Sequence, residues 1–376
     1  MLRETCARLA ARFFAPAIPR HARLALAITF AAAVFFVGVT LSPLKSGFAD
    51  KMRTEPGDIE LYRAEVERIH TGEGYYDAIA AELRTRGYPT RSVFNWRTPL
   101  PVWLIGKLSD ISLAKALLGI PAIGLLLLSF GLVHTEVGPK QAIIAVLLLS
   151  GALLPCVLGD IIVMSEVWAG VLLALSLVAY GTERRKLGIA AGIAAIFLRE
   201  LIAPYGALCA LLALKERRWR EFAVWIVGLA AYIGYFALHA AQVLPRIGPA
   251  DHAHAEGWLR LGGAGFVLST VQMNIYLLLL PQWVTGIYLA LALVGFASWN
   301  TPAGERIGLT AAMYLTAFSI VGQPFNQYWG SLITPLMCLG AACGIKTLVE
   351  LWRRAANCGF QIADCGLGRQ SEHIAG

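Results

Sequence analysis

Residues 43–98, PLKSGFADKMRTEPGDIELYRAEVERIHTGEGYYDAIAAELRTRGYPTRSVFNWRT, lie between two long apolar runs and hold nine acids and nine bases. The run before them, Leu24 to Leu41, is long enough to cross most of the ~30 Å of bilayer hydrocarbon. It is also too long for a typical signal-peptide core and reads as an uncleaved anchor. A long charged loop after a single first span is the natural place to look for chemistry.

Working outward, apolar runs of near-membrane length recur at about 112–133, 142–158, 161–181, 222–241, 266–280, 283–299, 307–322 and 329–346. Of the 376 residues, 57% are hydrophobic and only 15% are charged, which excludes an ordinary soluble domain. The expected fold is an all-α integral membrane protein with about nine to eleven membrane helices. Residues 1–346 form a single polytopic module, with 43–110 as its first extracytoplasmic loop, and 347–376 form a cytoplasmic tail.

The formal charge of +8 does not point to nucleic acid, because the bases sit beside apolar runs. Arg3, Arg8, Arg12, Arg20 and Arg23 precede the first; Arg184, Arg185 and Lys186, then Lys215, Arg217, Arg218 and Arg220, bracket 187–214. That is the positive-inside signature of cytoplasmic helix ends. A segment bracketed on both sides must enter and return to the same face. It does so as two short helices with Arg199 and Glu200 at the apex, in a protein-lined or wet cavity. The C-terminal Lys346, Arg353 and Arg354 fall on the same side. The segments 266–280 and 283–299 are separated only by Pro281-Gln282, so one of them is a candidate re-entrant piece. None of the seven cysteines lies in the loops placed outside, and no disulfide framework is visible.

The charged loop has internal order. Ile59, Tyr62, Val66 and Ile69 recur at helical spacing up to Gly72; Tyr76, Ile79 and Leu83 suggest a second short helix stopped by Gly87 and Pro89. Thr98-Pro99 starts a third, reaching about Asp110 with Trp103 at the interface. Helices lying on a membrane surface make a roof for a site that handles lipid-attached substrates.

Several residues carry two readings. Asp58 is either a carboxylate that deprotonates a hydroxyl acceptor or the N-cap of the first loop helix; Asp50 and Glu60 are weaker competitors. Asp160 and Glu166 flank an outer turn, where they hold a divalent ion such as magnesium or manganese, bind an acceptor, or are simply solvated. Arg97 suits a phosphate through its planar fork, or snorkels to headgroups. Arg199 either faces a phosphate or pairs with Glu200. His252 and His254 form a two-apart pair without a third ligand fixed by spacing. Tyr328 and Trp329, with Gln323, Asn326 and Gln327, read as a polar lip that stacks on a sugar ring or as an aromatic belt.

Taken together, Gly57-Asp58-x-x-x-Tyr62, Gly72 to Tyr76 and Asn95-x-Arg97-x-Pro99-Leu100 resemble the first outer loop of GT-C-type polytopic glycosyltransferases. Ser165-Glu166, Leu198-Arg199-Glu200 and Tyr328-Trp329 with Pro335 extend the resemblance over most of the chain. It implies transfer of a sugar from a polyprenyl-phosphate carrier to a hydroxyl on a lipid-linked or glycan acceptor, at the outer face of the plasma membrane and usually with inversion. It also implies that Asp58 activates the acceptor or organises the site, that Asp160 and Glu166 stand where acids of the family bind a metal, and that Arg97 and Arg199 hold the lipid phosphate. Glu166 is further expected to be catalytic, and Tyr62, Glu200, Tyr328 and Trp329 to contact substrate. The chain departs from the family pattern in having Ile59 after Asp58 instead of a second acid, and in lacking Asp-x-Asp after the third span.

No GxSxG, HExxH or Walker pattern suggests a hydrolase or an ATP-driven transporter. Two rival readings remain: a transporter or flippase of lipid-linked glycans, which predicts paired repeats and central charges, and a non-catalytic scaffold, which predicts that Asp58 and Glu166 tolerate amides.

Overall fold

The computed structural model describes residues 57–253 and 261–350, together with 31, 34, 35, 38 and 39. Of the span expected at 24–42, only those five residues, all helical, are described. Asp50, His254, Glu256 and most of the tail expected at 347–376 lie outside the described residues. Within them, every regular element is an α-helix or a short 3-10 segment.

The loop helices form as their periodicity suggests. Helix α1 runs Asp58–His70, α2 Tyr75–Thr85 and α3 Leu100–Lys107. Leu61, Tyr62, Glu65 and Ile69 face inward from α1, while acids in its first turn and bases in its last oppose the helix dipole. Both α1 and α2 end in the same paired closure. After α2, Gly87 N–H donates to Arg84 O at 3.1 Å and Tyr88 N–H to Leu83 O at 2.8 Å. Gly87 supplies the required left-handed backbone, with φ +70°.

One sequence reading is corrected here. Gly57, not Asp58, is the N-cap of α1, and Asp58 is its first helical residue with no capping hydrogen bond. The Asp58 side chain is left available for a different partner.

The remaining helices are α4 Ile111–Glu136, α5 Pro139–Leu153, α6 Ser165–Gly181, α7 Arg185–Leu198, α8 Ala203–Lys215 and α9 Trp219–Val243. They are followed by α10 Gly263–Val271, α11 Ile275–Leu278, α12 Gln282–Ser298, α13 Pro302–Ile320 and α14 Thr334–Glu350. Three described helices are long and apolar enough to cross a membrane: α4, α5 continued to Cys156, and α9 continued to Arg246. A fourth forms if the 3-10 segment Pro324–Leu332 and α14 act as one span bent by 67°. Helices α6 and α12 are apolar but shorter, at 17 residues each. The stretch expected as one span over 266–280 is broken into α10 and α11, with the Asn274 side chain capping α11.

Burial explains how these helices are used. Helix α6 is the axis: it is buried from Ser165 to Tyr180 except at Leu172, and packs against α4, α7, α13 and segment 324–332. The long helices instead leave large apolar side chains outside, among them Ile120 and Leu127 on α4 and Ile233 and Leu238 on α9. Stripes of this kind are unfavourable in water and natural against lipid tails. The protein is an all-α polytopic membrane protein. Small residues bring helices together: a Cβ at Gly295, Gly340 or Gly344 would collide with the facing backbone or ring, so α12 and α14 touch through glycine.

Contacts sort the molecule into two ends. At one end Glu136 accepts from Trp299 Nε1 and Thr301 Oγ1, Lys346 donates to Val137 O, and Lys215 lies 3.7 Å from Glu305. At the other end α1 packs on α2, α3 and the turn Ile161–Val163. There the two polar loops meet: Thr90 N–H and Arg91 N–H both donate to His252 O at 3.1 Å. The basic brackets 184–186 and 215–220 fall opposite the roof.

Candidate active site

The α7–α8 hairpin sets the site. Helix α7 has 14 residues, about 21 Å at 1.5 Å rise, too short to cross ~30 Å of hydrocarbon. It stops at Arg199, whose extended backbone (φ −153°, ψ 120°) breaks the helix, and Glu200 opens a three-residue 3-10 turn into α8. The apex therefore ends beside the first turn of α6, where Glu166 waits.

Four charged side chains meet there. Arg199 and Glu166 are both essentially inaccessible, and Arg199 Nε lies 2.7 Å from Glu166 Oε1 as an ion pair without hydrogen-bond alignment. Arg199 also pairs with Glu200. Arg97, arriving from the loop before α3, lies 3.8 Å from Glu166 Oε1 and 3.8 Å from Glu200 Oε1. The N-terminus of α6 favours the Glu166 carboxylate, and Ser165 Oγ donates to it at 3.2 Å. A largely enclosed quartet of this kind, with Arg199 and Glu166 buried and Arg97 and Glu200 partly exposed, adds little net stability, because desolvation offsets attraction. Removing one member, by contrast, strands a buried charge and costs about 3–5 kcal/mol.

Tyrosines aim Arg97. Its Nε donates to Tyr62 Oη at 2.8 Å and an Nη to Tyr328 Oη at 3.1 Å. Burial pushes the Tyr62 hydroxyl far above the usual phenol range against the pull of Arg97, so it stays protonated. The backbone of this stretch is pinned on both sides. Tyr75 Oη donates to Arg97 O at 2.6 Å, His239 Nε2 lies 3.0 Å from Trp96 O, and Leu100 N–H donates to Tyr235 Oη at 3.0 Å.

Tyr62, Arg97, Ser165, Arg199 and Glu200, with apolar Pro101, Val102, Val163 and Leu198, line a narrow cleft. Asp58 stands at its roof, one turn from Tyr62 on the same face of α1. Tyr88 Oη donates to Asp58 Oδ1 at 2.9 Å and fixes its direction. Glu65 continues that face inward; its Oε2 is buried without a hydrogen-bond partner, and burial holds its carboxyl well above the usual carboxylate range.

Six of the residues singled out in the sequence thus come together: Tyr62, Arg97, Glu166, Arg199, Glu200 and Tyr328, with Asp58 on the roof above them. Two do not. Asp160 is about half exposed and its Oδ2 pairs with Arg63 at 2.8 Å. Among the described residues no group of three or more His, Cys, Asp or Glu side chains is placed to hold a metal. Asp160 with a cationic partner is not a hard-oxygen ligand set. Trp329 packs edge-on to Phe266 and tilted against Phe318, both at 6.2 Å, inside an aromatic cluster and away from the cleft. Sequence reading missed Tyr88, Glu65, Tyr75 and His239. Glu65, Tyr75 and His239 sit on helices and Tyr88 just beyond the turn that ends α2, and an aromatic or acidic residue among apolar neighbours is equally the signature of a core position.

No protein-family model matches the chain, and a search of curated proteins finds no match. Among solved structures the chain is similar to the crystal structure of ArnT from Cupriavidus metallidurans in the apo state. The identity is 18% and the TM-score 0.44, over 91% of this chain and 63% of that one. The chain thus spans a little under two thirds of that structure's length.

Proposed function

We propose that this chain is a GT-C-type glycosyltransferase that moves a sugar from a polyprenyl-phosphate carrier to a hydroxyl acceptor at the outer face of the plasma membrane. The observation that carries this reading is the meeting of Arg97 and Arg199 at one cleft, beneath a helical roof that holds Asp58. The two arginines come from opposite elements, one from the loop and one from the apex of a membrane hairpin. Two permanent cations at the hydrocarbon boundary suit a lipid-borne phosphate.

The chemistry follows from the groups in place. The Asp58 carboxylate takes the proton of the acceptor hydroxyl as its oxygen attacks the anomeric carbon. The bond from that carbon to the phosphate oxygen breaks on the opposite face, so configuration inverts. The carrier phosphate leaves with one more negative charge, and Arg97 and Arg199 stabilise it as the charge develops. Tyr62 and Tyr328 orient Arg97, and Glu166 orients Arg199 from below. Both reactants are confined to one surface, with residues 1–346 acting as a single module. The reading assigns no step to a metal.

The test is sugar transfer from a radiolabelled polyprenyl-phosphate sugar in membranes, comparing wild type with Asp58→Asn at matched expression. Transfer is expected to vanish in the variant while the protein remains folded. Equal transfer in both would remove Asp58 from the mechanism, and absence of transfer with every donor would sink the enzyme reading.

A further inference from the structure

We infer that Glu200 is a built-in competitor of the carrier phosphate: its carboxylate holds the two arginines in the resting site, is displaced when the lipid phosphate binds, and returns as the spent carrier leaves. This rests on the glycosyltransferase reading and deepens it.

The charge inventory carries the argument. Arg97 and Arg199 contribute two positive charges, and Glu166 and Glu200 cancel them. A phosphate that reaches the cleft meets a neutral quartet, not two free cations. It gains both guanidinium groups only if one carboxylate gives way. Glu166 cannot be that one: it is inaccessible and sits in the first turn of α6, beneath Arg199. Glu200 is different in each respect. Its side chain is 23% exposed, it lines the cleft, and it rides on a three-residue turn between two helices instead of inside one. It also touches both arginines, which is the position a bridging phosphate would take.

The exchange has a direction built into it. The donor is a phosphodiester with a single negative charge. The spent carrier is a monoester with up to two, and binds the arginines more strongly. Without a competitor, the product would be the tightest ligand of its own site. A carboxylate that recaptures Arg97 and Arg199 weakens product binding and lets the carrier go. Atoms and charges balance without any further reactant, because one anion replaces another.

The measurement is equilibrium binding of a polyprenyl monophosphate to the purified full chain in phosphatidylcholine nanodiscs, for wild type, Glu200→Gln, Glu200→Ala and Glu200→Asp. Removing the charge is expected to tighten binding about tenfold in the first two variants, and Glu200→Asp is expected to restore wild-type affinity. Thermal melting of each variant reports folding. Unchanged or weaker binding by a folded Glu200→Gln protein would overturn the inference while leaving the enzyme reading intact. If neither wild type nor any variant bound the monophosphate, the arginine site itself would be misassigned and both readings would fall.

Discussion

Arg97 shows how a residue acquires a role from its neighbours. By itself it is an interfacial arginine of the kind that snorkels to headgroups. Here its guanidinium is fixed by two tyrosine hydroxyls, its carbonyl by Tyr75 and the preceding Trp96 carbonyl by His239. Fixed donors aimed at developing charge are worth far more than mobile ones, and loss of a single such donor typically costs about 100- to 1,000-fold in rate. Arg97→Lys keeps the charge but loses the fork. Sugar transfer by this variant is expected to fall about 100-fold with little change in thermal stability, measured as initial rates with saturating acceptor. A drop of less than threefold would show that charge alone suffices. Asp58, Arg97, Glu166 and Arg199 were all legible as candidates from residue type and position. Tyr88 and His239 were not, because nothing local distinguishes a tyrosine that orients a carboxylate from one that fills a core.

At the scale of elements, periodicity and turn chemistry were reliable guides. Helices α1 and α2 stop at Gly72 and Gly87, where the left-handed turn is needed, and the basic brackets around 187–214 announced the α7–α8 hairpin. How the loops attach to one another was hidden. Asp251 is the clamp: Arg84 donates to its carboxylate at 3.1 and 3.0 Å, Thr90 Oγ1 at 2.6 Å and Gly248 N–H at 2.7 Å. These donors hold its carboxyl well below the usual carboxylate range. A carboxyl depressed in the folded state stabilises it above the unfolded pKa, about 3.9, and that contribution fades as pH falls toward the folded value. Backbone amides of 88–91 and 248–252 are therefore expected to exchange hydrogen faster, relative to the core, as pH drops below about 4. In Asp251→Asn the same amides should be loose at neutral pH and show no further acid step. Acid-induced loosening of equal size in that variant would place the responsible group elsewhere.

For the whole molecule, the two-ended arrangement of contacts makes a topological prediction. The roof, the Asp251 clamp and the cleft share one end, while Glu136, Lys215, Glu305 and Lys346 meet at the other. Single cysteines placed at Ser92 and Thr182, in a background lacking the seven native cysteines, should differ in intact cells. The first should react with a membrane-impermeant thiol reagent and the second only after permeabilisation. Labelling of both from outside would refute a membrane lying between the two ends. The same arrangement divides the labour among helices: α4 and α9 carry apolar side chains toward lipid, and the almost wholly buried α6 presents Glu166 to the site.

The sequence by itself determined that this is a helical membrane protein, where its first two loop helices stop, and which charged residues are out of place in an apolar setting. Those properties depend on local composition and spacing, so a one-dimensional reading reaches them. Only the tertiary structure decided that Tyr62, Arg97, Arg199 and Glu200 share one cleft with Glu166 and Tyr328 holding the arginines beside it, that Trp329 belongs to an aromatic core, and that Asp160 serves an ion pair on the roof. Those outcomes depend on how far the α7–α8 hairpin reaches and which face α6 turns toward it. Helix ends far apart in the chain set both, so no window of neighbouring residues contains them.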